Sequence, residues 1–396
     1  MPDQPDFDEL IDRRGTLCSK WDDMEAAYGV SPGDGIAMWV ADMDFRPPAA
    51  VTRALRDLVD HGVYGYPGAN PPYLDAIRWW MATRHGWEVG RDHILTVHGL
   101  VNGTALAVDA FTRPGEAVIV TTPVYHAFAR VIRGLGRELR ELPLTRREDG
   151  RYRFDWAAWE GMLTGAERLF ILCSPHNPGG RVWSEEELRE VAAFCRRHDL
   201  ILVSDEIHAD LVMPGGPRHR VMATVAPEIA DRLVTLTAAT KTFNIAGAHV
   251  GNAIIADETL RAAYAGRMNG LGISPGLFGL PMVTAAYSPE GAGWVDALCR
   301  YLDGNRRLFD AGIGVIPGLR SMPLEATYLA WVDFSGTGMA DEEVRARVEQ
   351  SARIAANHGE TFGRGGEGFL RFNLATPRSR IETAVARLQA AFGDLQ

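Results

Sequence analysis

Residues 237–247 read TAATKTFNIAG, a small and mostly apolar run with one lysine between Thr240 and Thr242. Arginine far outnumbers lysine in this chain, so a lysine in such company calls for a reason. One reading is a loop lysine whose stem packs while its ammonium reaches water. The other is a reactive amine, because a partly desolvated lysine gives up its proton readily and attacks a carbonyl. More groups able to do chemistry lie far away in sequence. Asp205 and His208 stand in SDEIHADL (204–211), Asn177 in SPHNPGG (174–180), Tyr125 in TTPVYHAF (121–128) and Arg371 in FLRFN (369–373). These groups form a site only if the fold carries them to one place.

The elements around them suggest that it does. EAVIVTTP (116–123), RLFILCS (168–174), LILVSDEI (200–207) and RLVTLTAA (232–239) are continuous blocks rich in Val, Ile, Leu and Thr. Such blocks suit strands buried on both faces, as in a parallel sheet. Between the second and third lies SEEELREVAAFCRRHD (184–199), where Ser184 and Glu187 have capping-box spacing and Trp183 and Leu188 suit a hydrophobic staple. Leu188, Val191, Ala192 and Cys195 fall on one helical face, which makes a β-α-β unit. The wider alternation implies an α/β fold with a doubly wound, mainly parallel sheet. Ligands bind such sheets beyond the carboxyl ends of the strands. The residues at those ends are Tyr125, Ser174 to Gly180, Asp205 to His208, and Thr240 with Lys241. A ligand site at that edge is therefore expected.

Bulk properties narrow the class. The chain has 396 residues, 46% hydrophobic and 23% charged, as in an ordinary globular protein large enough for one large and one smaller domain. A net charge of −10 argues against a nucleic-acid surface. Cys18, Cys173, Cys195 and Cys299 are scattered without metal-ligand spacing, so neither a disulfide frame nor a metal site is expected. The start, MPDQPDFDEL, lacks the apolar core of a secretory signal, and no run approaches the roughly 18 apolar residues of a membrane span. A reduced, cytoplasmic protein is expected. Residues 51–289 read as the large domain. The irregular stretch 1–50 and residues 290–396, with a helical GWVDALCRYLDGNRRLFDAG and a strand-like TYLAWVDF, read as a smaller α+β domain built from both chain ends.

The edge residues make joint sense for pyridoxal phosphate, which needs a lysine, a carboxylate for its ring nitrogen, donors for its 3-oxygen and an anion site for its phosphate. At this point the chain resembles a known family, the fold-type-I pyridoxal phosphate enzymes of the aspartate aminotransferase superfamily. Within it the chain is most similar to the cystathionine β-lyase or carbon–sulfur lyase subfamily. The resemblance runs over nearly the whole chain, through MWVADMDF (38–45), YGYP (64–67), TTPVYHAF, SPHNPGG, SDEIHADL, KTFNIAG (241–247), ATYLAWVDF (326–334) and GGEGFLRFN (365–373).

What the resemblance implies can be stated residue by residue. Lys241 matches the Schiff-base lysine, against its plain reading as a packed loop lysine. Asp205 matches the acid that pairs with the ring nitrogen, though an Asp at a strand end is often only a turn residue. Asn177 matches the amide that donates to the 3-oxygen, and His208 stands where many aminotransferases place a tyrosine on the same oxygen. Tyr125 matches the aromatic that stacks on the ring. HGLVNGTALAV (98–108) puts Gly99 at a turn before a helix, a natural anion site. The phosphate contacts implied there are the backbone of Leu100 and Val101 and the hydroxyl of Thr240. His98, where the subfamily usually has proline, and His249, where aminotransferases carry an arginine, depart from the pattern. Arg371 matches the clamp on the substrate α-carboxylate, and the backbone near Ala41 resembles the segment that meets the same group. Tyr66, with Tyr64 second, resembles the residue that reaches the neighbouring subunit's cofactor, which implies a homodimer with shared sites.

The activity implied is α,β-elimination of a small amino acid thioether to pyruvate, ammonia and a thiol. An aminotransferase and a pyridoxal phosphate-binding regulator share these residues and remain open on the sequence.

Overall fold

In a computed structural model that describes residues 5–395, the four apolar blocks are neighbouring strands of one seven-stranded sheet. Its spatial order is Ile94–Val97, Gly251–Ile254, Leu233–Thr237, Ile201–Asp205, Glu167–Cys173, Ala117–Thr122 and Glu138–Pro143. Only Gly251–Ile254 runs against its neighbours; the others are parallel. The interior strands Ala117–Thr122 and Leu233–Thr237 are buried at every residue, while the edge strand Glu138–Pro143 is mostly half-exposed. This is why the central blocks read as continuous apolar runs.

Apolar layers cover both faces. One face packs Phe170, Leu172 and Leu202 against Leu188 and Val191 of the helix Glu185–Arg197. The other packs Ile171, Val203 and Val234 against Leu106 and Ala107 of the helix Leu100–Phe111. The fold is α/β and doubly wound, as expected. The capping box is formed: Ser184 Oγ accepts from the Glu187 amide at 3.2 Å, and the Ser184 amide donates to Glu187 Oε2 at 2.8 Å. Such a cap contributes about 1 kcal/mol and sets where the helix begins.

After Ala117–Thr122 the chain moves outward to Glu138–Pro143, then returns to Glu167–Cys173 on the other side of Ala117–Thr122. The carboxyl ends of Ala117–Thr122 and Glu167–Cys173 therefore flank a switch point, where adjacent connections diverge and leave a crevice. Tyr125 and Asn177 follow those two strands directly.

Elsewhere, Arg320–Ser321, Leu329–Asp333, Phe369–Asn373 and Asn357–His358 form a four-stranded antiparallel sheet. Near the start of the chain, Ile36–Ala37 pairs in parallel with Ile354–Ala355. The helix-like stretch near 300 is part of a 25-residue helix, Pro289–Ile313. Among the described residues no helix is long and apolar enough to cross a membrane, and no group of three or more His, Cys, Asp or Glu side chains is arranged to hold a metal.

Candidate active site

A cavity of about 500 Å³ opens at the switch point. It brings together Lys241, Asp205, Asn177, His208, Tyr125, Arg371, Thr240, Leu100, Val101 and Ala41, along with His98 and His249. Tyr66 is the exception, being fully exposed and away from the cavity of its own chain. Tyr64 is also exposed, but its hydroxyl donates to the Val59 carbonyl at 3.2 Å and its ring leans on Phe278.

Lys241 lies in a short helical turn, Ala239–Thr242, directly after the strand Leu233–Thr237. Its Nζ donates to the Ala41 carbonyl, which also accepts from the Tyr328 hydroxyl at 2.9 Å. Burial pulls the lysine down to about 8, partly opposed by Asp42. At neutral pH its proton is thus held weakly, as a carbonyl-reactive amine requires. The chain's other lysine, Lys20, is fully buried where Lys241 is half-buried, and it sits 3.1 Å from Asp44.

Asp205 ends the strand Ile201–Asp205 and is 5% exposed. One carboxylate oxygen accepts from the Ile207 amide at 3.2 Å. Burial pushes its pKa up to about 7, and the charge of Glu206 adds to that. Among the described residues no cation pairs with it at contact distance, so its ionised form lacks a partner. His208 is buried, neutral and depressed to about 3 by burial, with Lys241 and Arg371 adding to the shift; its Nδ1 has no hydrogen-bond partner.

Arg371 sits mid-strand in Phe369–Asn373 and is 2% exposed. Nη1 donates to Asn177 Oδ1 at 3.0 Å; Nη2 donates to the Trp39 carbonyl at 2.9 Å and to Asn357 Oδ1. All three acceptors are neutral, and burial brings the guanidinium down to about 10. Because the Asn177 oxygen faces Arg371, its Nδ2 is free to donate elsewhere. The backbone group that meets Arg371 is thus Trp39, while the carbonyl of Ala41 faces Lys241 and Tyr328. Tyr125 forms one wall, its ring edge-on to Phe128 at 5.6 Å. On the same lining, Gly99 caps the helix Leu100–Phe111 with φ +77°, a left-handed conformation glycine adopts without strain. The amides of Leu100 and Val101 stand in the first turn, where N–H groups have no intrahelical acceptor.

Several contributors escaped the sequence reading. Asn244 clamps the segment carrying Ala41: its Nδ2 donates to the carbonyls of Met43 (2.8 Å) and Phe45 (2.7 Å), and its Oδ1 accepts from the Met43 amide (2.8 Å). Asn373 does the same from the other side, donating to the carbonyls of Val40 and Asp42 at 2.7 and 2.6 Å. Asn357 bridges Tyr28 and Arg371. A lone Asn carries no sequence signal beyond a turn. Its role here depends on partners up to about 330 positions away.

Comparison with known proteins agrees with this geometry. The profile of the family "aminotransferase class I and II" matches residues 34–388. The chain belongs to that family. It is 39% identical to the cystathionine beta-lyase PatB of Bacillus subtilis (strain 168), over 97% of this chain and 99% of that one. It is 33% identical to the protein MalY of Escherichia coli (strain K12), over 97% of both. Among solved structures it superposes on cystalysin from Treponema denticola, which contains pyridoxal 5'-phosphate. That match has a TM-score of 0.94 and 34% identity, and it covers 99% of this chain and all of that one. A pyridoxal phosphate-bound C-S lyase from Staphylococcus hominis matches with a TM-score of 0.89 at 31% identity, over 98% of each chain.

Proposed function

We propose that this family member is a pyridoxal phosphate-dependent carbon–sulfur β-lyase. It cleaves L-cystathionine or a related cysteine S-conjugate to pyruvate, ammonia and a thiol by α,β-elimination. The observation that carries this reading is the convergence of a Lys241 whose pKa is lowered to about 8, an unpaired buried Asp205 and an Arg371 with only neutral acceptors on one cavity. These groups fit pyridoxal phosphate on their own chemistry. Asp205 needs a cation, His208 Nδ1 and Asn177 Nδ2 lack partners, and a free helix N-terminus awaits an anion.

Bound pyridoxal phosphate supplies a carbonyl for the lysine and an electron sink for a carbanion at the substrate α-carbon. The protein does the rest. The Arg371 guanidinium holds the α-carboxylate, a planar pairing lysine makes poorly. Lys241 Nζ takes the α-proton and can pass it to the departing sulfur, which leaves the amine free again. Asp205, ionised beside a cation, would hold the ring nitrogen protonated, while Asn177 and His208 would serve the 3-oxygen. Tyr125 would lie against the ring. The amides of Leu100 and Val101 and the Thr240 hydroxyl would hold the phosphate, and His98 and His249 line the same cavity. The thiolate is a competent leaving group because a thiol has a pKa of roughly 8.5.

The reading is tested by supplying L-cystathionine without any amino acceptor: pyruvate, ammonia and thiol should appear in equal amounts. Turnover that requires an added 2-oxo acid and releases no thiol would replace it with transamination.

The same proposal includes a homodimer whose sites are shared through Tyr66. Its full exposure beside a pinned Tyr64 supports this. Co-refolding Lys241→Ala with Tyr66→Ala should restore activity, because a mixed dimer holds one intact site; confirmed mixed dimers without activity would exclude sharing. Residues 51–289 would form the large domain, with 1–50 and 290–396 the small one, a division supported by the pairing of Ile36–Ala37 with Ile354–Ala355. Four buried, unpaired cysteines suit a reducing cytoplasm.

A further inference from the structure

The cavity carries a second guanidinium that the chemistry above leaves unused. Arg130 lines it from the helix Ala127–Gly134, one turn beyond His126, which lines it too. The two therefore share a helix face, and the Arg130 amide donates to the His126 carbonyl at 3.3 Å. Arg130 is exposed at the mouth of the cavity, and among the described residues it forms no ion pair. Further along the chain, Arg137 pairs with Asp109 and Arg140 with Glu167.

The charges lining the cavity are unbalanced. Among the described residues, Lys241, Arg371 and Arg130 are the cations and Asp205 is the one carboxylate. With Asp205 committed to the ring nitrogen, the cofactor phosphate on the Leu100 and Val101 amides and the α-carboxylate of the substrate on Arg371, Arg130 still lacks an anion. His126 cannot compete as a cation, since burial depresses it to about 4 and the charges of Arg371 and Arg130 add to that. Arg130 lines the same cavity as Tyr125, His126 and Arg371.

Resting on the lyase reading, we infer that Arg130 selects thioethers whose leaving thiol itself carries a carboxylate. Arg371 takes the α-carboxylate and Arg130 the distal one, so the sulfur lies between two fixed charges. A neutral alkyl thioether of equal length leaves Arg130 with water alone.

The test compares S-(2-carboxyethyl)-L-cysteine with its neutral isostere S-(2-carbamoylethyl)-L-cysteine on the holoenzyme. Kd is read from the change in cofactor absorbance and turnover from pyruvate. Arg130→Gln should weaken binding of the carboxylate compound about tenfold, as expected for one charge-assisted pair partly open to water, and leave the amide compound unchanged. Arg130→Lys should recover part of the loss. Comparing the two ratios cancels differences in leaving-group chemistry. Equal effects on both compounds, or no effect on either, would overturn the role of Arg130. Absence of pyruvate from both compounds with the unaltered enzyme would instead sink the lyase reading, while the binding ratio still decides on Arg130.

Discussion

Asp205 and Asp210 lie five residues apart on one segment, Asp205 buried and Asp210 with a side chain only 6% exposed, and their surroundings push them in opposite directions. Asp210 accepts from His85 Nε2 at 2.9 Å, Trp80 Nε1 at 3.0 Å and Thr242 Oγ1 at 2.9 Å. These partners hold its carboxyl below the usual range even though burial, the largest single influence, works the other way. Asp205 has one backbone amide and rises to about 7. The neighbouring turn divides in the same way: Lys241 faces the cavity, whereas Thr242 points to Asp210. One side of the two segments is finished by the protein, and the other is completed by a ligand. A buried carboxylate with three donors contributes to stability; one with a single donor is strained until a cation arrives.

The sharpest way to break this contrast is Lys241→Ala. It should lower turnover by about 10⁴-fold while leaving the fold intact, because it removes the proton carrier and touches nothing on the Asp210 side. Borohydride should fix the cofactor to Lys241 in the unaltered protein. Peptide mapping has one competitor, Lys20, which is paired with Asp44; label found there would end the assignment.

Next come the two acids compared directly. Asp205→Asn should cost about 10²–10³ in turnover at saturating cofactor, with no loss of stability in the cofactor-free protein. Asp210→Asn should lower unfolding free energy by about 3 kcal/mol, because an amide cannot accept from all three donors. Denaturant titration and steady-state assays separate the two, and interchanged outcomes would refute the division.

A smaller effect is expected with pH. The native Asp205 carboxyl keeps its proton to about pH 7, whereas an unfolded one releases it near 3.8. Between those values the folded state binds more protons, so stability of the cofactor-free protein should fall as pH rises from 4 to 7. The decline should total about 2–4 kcal/mol relative to Asp205→Asn and vanish below pH 4. Parallel stability curves for the two proteins would contradict the raised pKa.

The smallest effect belongs to Thr242→Val. It should destabilise by about 1–2 kcal/mol, leaving Asp210 one donor short, and keep near-normal turnover despite standing next to Lys241. A collapse of activity would place Thr242 on the wrong side of the comparison.

Much of this was legible before any coordinates. Continuous apolar blocks marked the central strands, and Ser184 with Glu187 marked a helix start, because these signals depend on neighbours within a few residues. The site was legible through the rule that ligands meet a doubly wound sheet at its strand ends. Asn244, Asn373 and Asn357 were not, since an asparagine reads as a turn residue until its long-range acceptors are known. Tyr66, exposed and away from the cavity of its own chain, is the site candidate that the fold does not bring to the others.

Residue types and local order by themselves determined the α/β sheet, the strand-end position of Lys241 and Asp205, and the family resemblance. Those properties follow from short-range pattern and from side-chain chemistry. Only the tertiary structure decided that Asp205 is left unpaired while Asp210 is satisfied, that Arg371 meets only neutral acceptors, and that Arg130 stands unpaired at the mouth. Each of these depends on which distant donors come within about 3 Å of a buried group, and hydrogen bonding acts only over that range. The sequence names the groups, but the packing decides which of them are left without a partner.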